Sequence, residues 1–168
     1  MITETGREYF IDTSALLKAY IPEPGSENME RLLSEGAIKI ISSMGLLETL
    51  SVFQRLHSVE KVLSRKRFDE LCGRVLADVA SGRIVSRSAS PADIQEAIEL
   101  ELRQYLTAVD AIQIALARGA GNDVVFVSSD EKLNRIAGEC GLTVWNPAED
   151  RGQPPANPGS EPGSNTSA

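Results

Sequence analysis

Four carboxylates in this sequence lie where they could share one chemical site. Asp12 directly follows the strand-like segment 9–11, and Asp130 follows a later strand-like segment after two serines. Asp110 lies near the start of the helical segment before that later strand, and Glu48 lies within another helical segment. In a doubly wound parallel sheet, strand ends at the switch point open into one crevice. The four acids therefore meet if the helix that carries Glu48 lines that crevice.

Carboxylates placed so close together need a cation. Two of them ~4 Å apart repel by roughly 4 kcal/mol at an effective dielectric near 20, so four would take up protons or move apart unless an ion neutralised them. Oxygen ligands without histidine or cysteine suit Mg²⁺ or Mn²⁺ rather than Zn²⁺. The joint pattern therefore predicts a Mg²⁺ or Mn²⁺ site formed by Asp12, Glu48, Asp110 and Asp130.

Each of the three aspartates also has an ordinary structural interpretation. Asp is a favoured N-cap, so Asp12 could simply cap the helical segment that follows it. Asp110 lies three residues after Thr107, which is the spacing of a capping box. Ser128 and the glutamate three residues after it have the same spacing, in which case Asp130 would only complement the helix dipole.

Glu48 differs from the aspartates because it lies inside a helical segment. It shares a polar stripe with Ser51 and Arg55, while leucines and a phenylalanine cover much of the rest of the helix. Taken alone, it is typical of a solvated surface side chain. Only the four acids considered together favour a site.

A sheet with helices on both faces would position these side chains. Short apolar segments without clean alternation predict strands covered on both faces, at 8–11, 38–41, 83–85, 124–127 and 142–145. Segments with helical patterns separate them, at 15–21, 26–34, 45–58, 64–80, 91–103, 107–117 and 131–139. This alternation predicts an α/β protein with a parallel sheet of about five short strands.

Length and composition predict one domain followed by a tail. The chain has 168 residues, of which 42% are hydrophobic. This length and composition predict that residues 1–150 form a single globular domain. Residues 151–168 contain no large apolar side chain and are mostly Pro, Gly, Ser, Asn and Gln, which predicts disorder. The net charge of −7 argues against a protein that binds nucleic acid through one large basic surface.

Compartment signals are few. Cys72 and Cys140 lack paired spacing, which predicts reduced thiols. The N-terminal residues lack the apolar segment of a signal peptide, and no apolar run reaches the ~18 residues of a membrane span. We therefore expect a cytoplasmic protein.

Four short motifs resemble those of the PIN domain family, and in particular its VapC-type toxin ribonucleases. They are Phe-Ile-Asp-Thr-Ser-Ala-Leu-Leu at 10–17, Leu-Leu-Glu-Thr-Leu at 46–50, Val-Asp-Ala-Ile-Gln-Ile-Ala at 109–115 and Val-Ser-Ser-Asp-Glu-Lys-Leu at 127–133. The resemblance extends over residues 9–147, including the closing Gly-Leu-Thr-Val-Trp-Asn-Pro. Each motif is weak alone, but four in the family's order are fairly specific.

The resemblance implies a fold, an activity and partners. The fold would be a three-layer α/β/α domain, and the activity that of a Mg²⁺- or Mn²⁺-dependent endoribonuclease. The metal ligands would be Asp12, Glu48, Asp110 and Asp130, with polar support from Ser14 and Ser128. An RNA substrate, a cognate antitoxin protein and a homodimer are the expected partners.

Other reactive or charged residues have simpler interpretations. His57 lies nine residues after Glu48, about 180° around a helix from it, which favours a structural role over that of a general base. Cys72 lies on an apolar helical stripe, which favours an inert thiol over a nucleophile. The basic residues of segment 61–74 could guide an RNA backbone, but a solvated helix face is the more common reason for such a pattern.

Three other functions compete with the nuclease. A haloacid dehalogenase-type phosphatase needs a second acid two residues after the first, where this chain has Ser14. A receiver-like phosphoacceptor module needs an acidic pair after the first strand and an Asp after the third, whereas segment 86–88 is Ser-Arg-Ser. A catalytically silent PIN-like binding module stays open, although the presence of all four acids argues against it.

Overall fold

The computed structural model of the protein describes residues 7–121 and 123–149. The tail expected at residues 151–168 lies outside the described residues. Within them, no helix is both long and apolar enough to cross a membrane.

The strands form one parallel sheet in the order β3-β2-β1-β4-β5. Their bounds are β1 Glu8–Ile11, β2 Ile38–Ser42, β3 Val85–Arg87, β4 Val124–Val127 and β5 Thr143–Trp145. The chain moves outward from β1 in one direction through β2 and β3, and then returns to place β4 on the other side of β1. The topological switch point therefore lies between β1 and β4, where a crevice at the carboxyl edge of the sheet is expected.

Helices cover both faces of the sheet. In the described residues they are α1 Thr13–Lys18, α2 Ser26–Ser34, α3 Ser43–Ser58, α4 Arg65–Ala80, α5 Pro91–Arg103, α6 Ala108–Ala120 and α7 Glu131–Glu139. One core joins α1 to α4 with Tyr9 and Ile11, and the other joins α5 to α7 with Phe10. Successive residues of β1 thus face opposite cores, as the alternation of a strand requires. The three-layer α/β/α architecture inferred from the sequence is confirmed.

The third strand lies two residues later than the predicted 83–85. The backbone N–H of Ile84 donates to the carbonyl of Asp78 (3.0 Å), and Arg83 Nε donates to the carbonyl of Leu33 (3.1 Å). Both residues are therefore held in the turn after α4. The sheet pairing starts at Val85, opposite Ile40.

Helix boundaries follow their caps. Ser90 and Asp93 form a complete capping box at the start of α5, where Pro91 occupies a first-turn position. Gly141 follows α7 with a φ of +87°, a conformation that favours glycine. Helix α1 begins at Thr13, two residues before the predicted start, because Asp12 caps it.

Candidate active site

Asp12 lies at the centre of the carboxyl edge of the sheet. Its backbone N–H donates to the carbonyl of Val127 (2.9 Å), which continues the β1–β4 pairing by one residue. The residue is only 3% exposed. The carboxylate oxygen Oδ2 accepts hydrogen bonds from the Ser14 amide (3.2 Å), Ser14 Oγ (2.6 Å) and Ser128 Oγ (2.9 Å). Asp12 is therefore an N-cap and also a buried acid at the switch point.

The environment of Asp12 raises the pKa of its carboxyl group. Burial is the main cause, because it disfavours the charged form. The hydrogen bonds from Ser14 and Ser128 act in the opposite direction, and the negative charge of Asp110 adds to the increase. A cation at this edge would offset both burial and repulsion.

Ser14 and Ser128 tie the ends of β1 and β4 together. Ser14 Oγ accepts a hydrogen bond from the Ser129 amide (2.9 Å) and lies 3.2 Å from Ser128 Oγ. Ser128 Oγ also accepts from the amide of Asp130 (3.1 Å). The two hydroxyls thus fix the Asp12 carboxylate and the chain that leads to Asp130.

Glu48 is connected to this edge through Thr13. Thr13 Oγ1 donates a 2.6 Å hydrogen bond to Glu48 Oε2. The Glu48 side chain is exposed, as its polar stripe predicted. The residue that follows Asp12 therefore orients the carboxylate of α3.

Asp110 lies in the first turn of α6 and is half-buried. Its charge acts on Asp12, so the two carboxylates share one electrostatic environment. Thr107 caps the helix by accepting from the Asp110 amide (3.2 Å). The reciprocal side-chain bond of a capping box is not formed in the described part of the chain. The Asp110 carboxylate accepts no hydrogen bond from the residues that the structure describes.

Asp130 is itself the N-cap of α7, and its Oδ1 accepts from the amide of Leu133 (2.8 Å). The capping box predicted for Ser128 and Glu131 is wrong. Ser128 Oγ instead donates to Asp12 and accepts from the Asp130 amide, so α7 begins only at Glu131. Asp130 is exposed, and its Oδ2 accepts no hydrogen bond from the described residues.

The four acids lie around one edge, but their carboxylates do not form a closed cluster. Across residues 7–121 and 123–149, no three acidic, histidine or cysteine side chains come close enough to hold a metal ion. In the same ranges, none of the four acids forms an ion pair with Lys or Arg. The oxygen donors fit Mg²⁺ or Mn²⁺ chemically if the two exposed side chains, Glu48 and Asp130, turn inward.

His57, Cys72 and the basic segment lie away from this edge of the sheet. His57 Nδ1 lies 2.9 Å from the carbonyl of Leu63, and its ring stacks on Phe68 with centroids 5.2 Å apart. The Cys72 thiol is free and partly buried, and burial raises its pKa. In the basic segment, three of the cations form ion pairs along α4, namely Arg65–Asp69, Lys66–Glu70 and Arg67–Glu70. The structural interpretations given to these residues agree with this geometry.

Two buried polar residues close in sequence to the acids were not predicted from the sequence. Thr13 is buried and bonds Glu48, and Gln113 is a buried amide three residues after Asp110. A signal for Thr13 was its position directly after the first acid. A signal for Gln113 was a lone amide within the apolar run of α6.

The fold and this edge define the class of protein. It is a parallel α/β/α domain with an acidic rim at the switch point, held by serine and threonine hydroxyls. The model of the PIN domain family matches residues 9–139. The chain belongs to the PIN domain family, and the resemblance seen in its motifs is confirmed.

Known proteins of similar sequence and structure agree with this assignment. The chain is 28% identical over 135 residues to a protein of Mycolicibacterium smegmatis named Ribonuclease VapC, which covers 76% of this chain and 96% of that protein. Its fold resembles VapC20 of Mycobacterium tuberculosis, described as a sarcin-ricin loop cleaving toxin, with a TM-score of 0.60, 18% identity, and 80% and 96% coverage of the two chains. It also resembles VapBC2 of Rickettsia felis, solved with a DNA fragment from the promoter, with a TM-score of 0.57, 17% identity, and 83% and 98% coverage.

Proposed function

We propose that the protein is an endoribonuclease that hydrolyses RNA phosphodiester bonds with the help of Mg²⁺ or Mn²⁺. The observation that carries this proposal is the environment of Asp12. Its carboxylate is buried, it is oriented by three hydrogen bonds, and it lies beside a second acid with no Lys or Arg in the described residues to balance the charge. Such a site favours a divalent cation.

The four acids have different parts in this proposal. Asp12 and Asp110 would be the first two ligands, since the negative charge of Asp110 already acts on Asp12. Glu48 and Asp130 are exposed and would complete the ligand set. Ser14 and Ser128 keep Asp12 Oδ2 oriented. When bound, the ion supplies Lewis-acid stabilisation of the phosphate and a water of lowered pKa for in-line attack.

The biological role that we propose is that of a toxin held inactive by a cognate antitoxin protein in the cytoplasm. Two observations support it. A similar protein is named Ribonuclease VapC. A structure from Klebsiella pneumoniae that resembles this fold, with a TM-score of 0.60, 16% identity, and 83% and 97% coverage of the two chains, is described as a toxin–antitoxin complex. A homodimer belongs to the same proposal. The catalytically silent PIN-like or receiver-like module remains the alternative, and the following experiment separates it from the nuclease.

The test is cleavage of a long structured RNA by the protein freed of any co-purifying partner. We expect cleavage with Mg²⁺ or Mn²⁺ and none with EDTA. Amide substitutions at the four acids (Asp12→Asn, Glu48→Gln, Asp110→Asn and Asp130→Asn) should each lower the rate by about tenfold or more, because each removes one ligand charge; a factor of ten corresponds to 1.36 kcal/mol of barrier.

His57→Ala is the control for the cleavage test, because His57 packs on Phe68 away from the acids and should be dispensable for activity. Wild-type protein that cuts no RNA, or cuts equally well in EDTA, would refute the nuclease. Loss of cleavage in His57→Ala alone would place the reaction elsewhere.

A further inference from the structure

Tyr105 is an aromatic residue that the fold leaves in solvent. It is 84% exposed, whereas every other phenylalanine, tyrosine and tryptophan of the chain, all of them within the described residues, is buried or half-buried. The backbone around it is held in place nevertheless. Leu106 is buried in the core that joins α5 to α7, and Gln104 Nε2 donates to Glu139 Oε2 of α7 (3.2 Å). The ring is therefore presented to solvent from a fixed segment of the chain.

A lysine of α7 lies over one face of this ring. Lys132 Nζ is 4.7 Å from the centroid of the Tyr105 ring, a distance at which an ammonium group is attracted to the π-electrons. Lys132 forms no ion pair with any carboxylate of residues 7–121 and 123–149. Its positive charge therefore stays available to a ligand, and the high exposure of Tyr105 leaves the rest of the ring accessible.

The pair lies where two helices that carry proposed ligands begin. Tyr105 precedes Thr107, which caps α6, and the first turn of this helix contains Asp110. Lys132 is in the first turn of α7, whose cap is Asp130. The contact between Tyr105 and Lys132 thus joins the starts of both helices at the carboxyl edge of the sheet. The ring flanks the acidic edge.

The charge of the protein limits how RNA can be held here. The net charge is −7, so the strong phosphate attraction of a large basic surface is not available. Stacking of a base on an aromatic ring needs no charge, and it accepts any base because every base has a π-face. It does require a base that is not already stacked in a duplex. An exposed tyrosine beside one unpaired lysine therefore fits a single strand of RNA.

We propose that Tyr105 stacks on an unpaired base of the RNA substrate, and that Lys132 binds the adjoining phosphate. The inference rests on the proposed function, since it names single-stranded RNA as the form of substrate that the acidic edge receives. Lys132 already orients the ring in the free protein, so the ring loses little further freedom when RNA binds. Both are substrate-binding residues, and the chemical step stays with the four acids.

The first experiment measures RNA affinity without cleavage. The probes are a short fluorescent oligouridine and an RNA duplex of the same length, and anisotropy is measured in EDTA, where the proposed nuclease does not cut. Tyr105→Leu should bind the oligouridine about tenfold more weakly than the wild type, a factor that corresponds to about 1.4 kcal/mol. Its affinity for the duplex should equal that of the wild type, because the duplex bases stack on one another.

A test of the lysine and two control variants accompany this measurement. Lys132→Gln should weaken oligouridine binding and reduce the slope of log affinity against log salt concentration by about 0.7, the value for one phosphate contact on a single strand. Tyr105→Phe keeps the ring and should retain wild-type affinity. Lys66→Gln removes an exposed lysine of α4, away from the acidic edge, and should change neither affinity nor slope. All these side chains are exposed, so the melting temperatures should stay unchanged.

The second experiment is steady-state cleavage of single-stranded RNA with Mn²⁺. Tyr105→Leu should raise KM about tenfold and leave kcat near that of the wild type, because a stacked base contributes equally to the bound substrate and the transition state. A lower kcat with unchanged KM would contradict a binding role for Tyr105.

Equal oligouridine affinity of Tyr105→Leu and the wild type would overturn the proposal, as would a wild type that binds neither probe. A lower molar mass of Tyr105→Leu by light scattering, with unchanged RNA affinity, would assign the ring to a protein contact instead. A wild type that binds oligouridine through Tyr105 but cuts no RNA would refute the nuclease and leave the stacking site standing. The two failures are therefore distinguishable.

Discussion

At the scale of single residues, Asp12 has a structural role as a helix cap and, in the function that we propose, a chemical role as a metal ligand. A cap alone explains its bond to the Ser14 amide, but not its burial beside Asp110 or its two serine hydroxyl partners. Burial and repulsion make its charged form unfavourable in the metal-free protein. The acid is therefore kept at a cost in stability that a bound cation would relieve.

Asp12→Asn should lose the stabilisation that Mn²⁺ gives the wild type. At 100 times the dissociation constant, a ligand that binds only the folded state adds about 2.7 kcal/mol, which corresponds to a melting temperature about 5–10 °C higher for a domain of this size. We expect this shift for the wild type and none for the variant, measured by thermal unfolding across millimolar Mn²⁺. An equal shift in both proteins would contradict the assignment of Asp12 as a ligand.

The pH dependence of folding stability, measured without metal, gives a second comparison of the wild type with Asp12→Asn. The folded-state pKa of Asp12 is raised above its ordinary value of 3.8, so the native state binds more protons than the unfolded state. The protonated Asp12 carboxyl therefore adds to the free energy of unfolding below pH 3.8. This contribution is lost as pH rises through the folded-state pKa. Relative to Asp12→Asn, the wild type should therefore become less stable as pH increases from about 4, as measured by chemical denaturation.

At the scale of elements, the site depends on how closely α3 approaches α1. Gly45 permits this approach, because a side chain there would press on Ser42 Oγ and Thr13 Oγ1. Ser42 cannot move freely, since it is buried and caps α3 by accepting from the Gly45 amide (2.7 Å). With glycine at position 45, α1 lies close enough to α3 for Thr13 to bond Glu48.

Gly45→Ala should destabilise the protein, although Gly→Ala inside a helix usually adds about 0.5–1 kcal/mol. Overpacking of this kind costs about 1–3 kcal/mol, and the shift of Thr13 should slow RNA cleavage as well. Gly73→Ala is the matched control, because a Cβ atom on Gly73 of α4 would have nothing within 4 Å apart from its adjacent residues and its own helix backbone. Urea unfolding should show opposite signs for the two variants, and equal stabilisation of both would refute the steric argument.

Much of this architecture could be predicted from local patterns. The bounds of β1, β4, α2, α5 and α7 follow from short apolar runs and from caps such as Ser90. The four acids that we propose as ligands are selected by sequence alone, because their residue types and positions carry the signal. The sequence could not predict that Asp130 rather than Ser128 caps α7, because both have favourable local spacing. Ser128 instead donates a hydrogen bond to Asp12, which is distant in sequence. The contact of Thr13 with Glu48 likewise arises only when three helices pack.

At the scale of the whole molecule, an apolar stripe lies on the solvent side of α5. Ile94, Ile98 and Leu102 recur every four residues, and Leu102 is 82% exposed. Tyr105 follows at 84% exposed, and together with neighbouring alanines of α6 the stripe borders a cavity of about 280 Å³. Contiguous exposed apolar surface is typical of protein–protein contacts. This face therefore suits the homodimer that we propose.

Leu102→Glu should convert a dimer into a monomer, because a pair of related faces would bury two unpaired carboxylates. The measurement is molar mass by light scattering over a range of protein concentrations, with the Mn²⁺-dependent melting temperature as a check that the fold and site persist. Leu76→Glu is the matched control, since Leu76 is an exposed leucine on α4, beside a different groove. We expect Leu76→Glu to remain dimeric. A wild type that is monomeric at tens of micromolar would rule out the dimer, and a dimer lost only in Leu76→Glu would move its interface to the groove between α3 and α4.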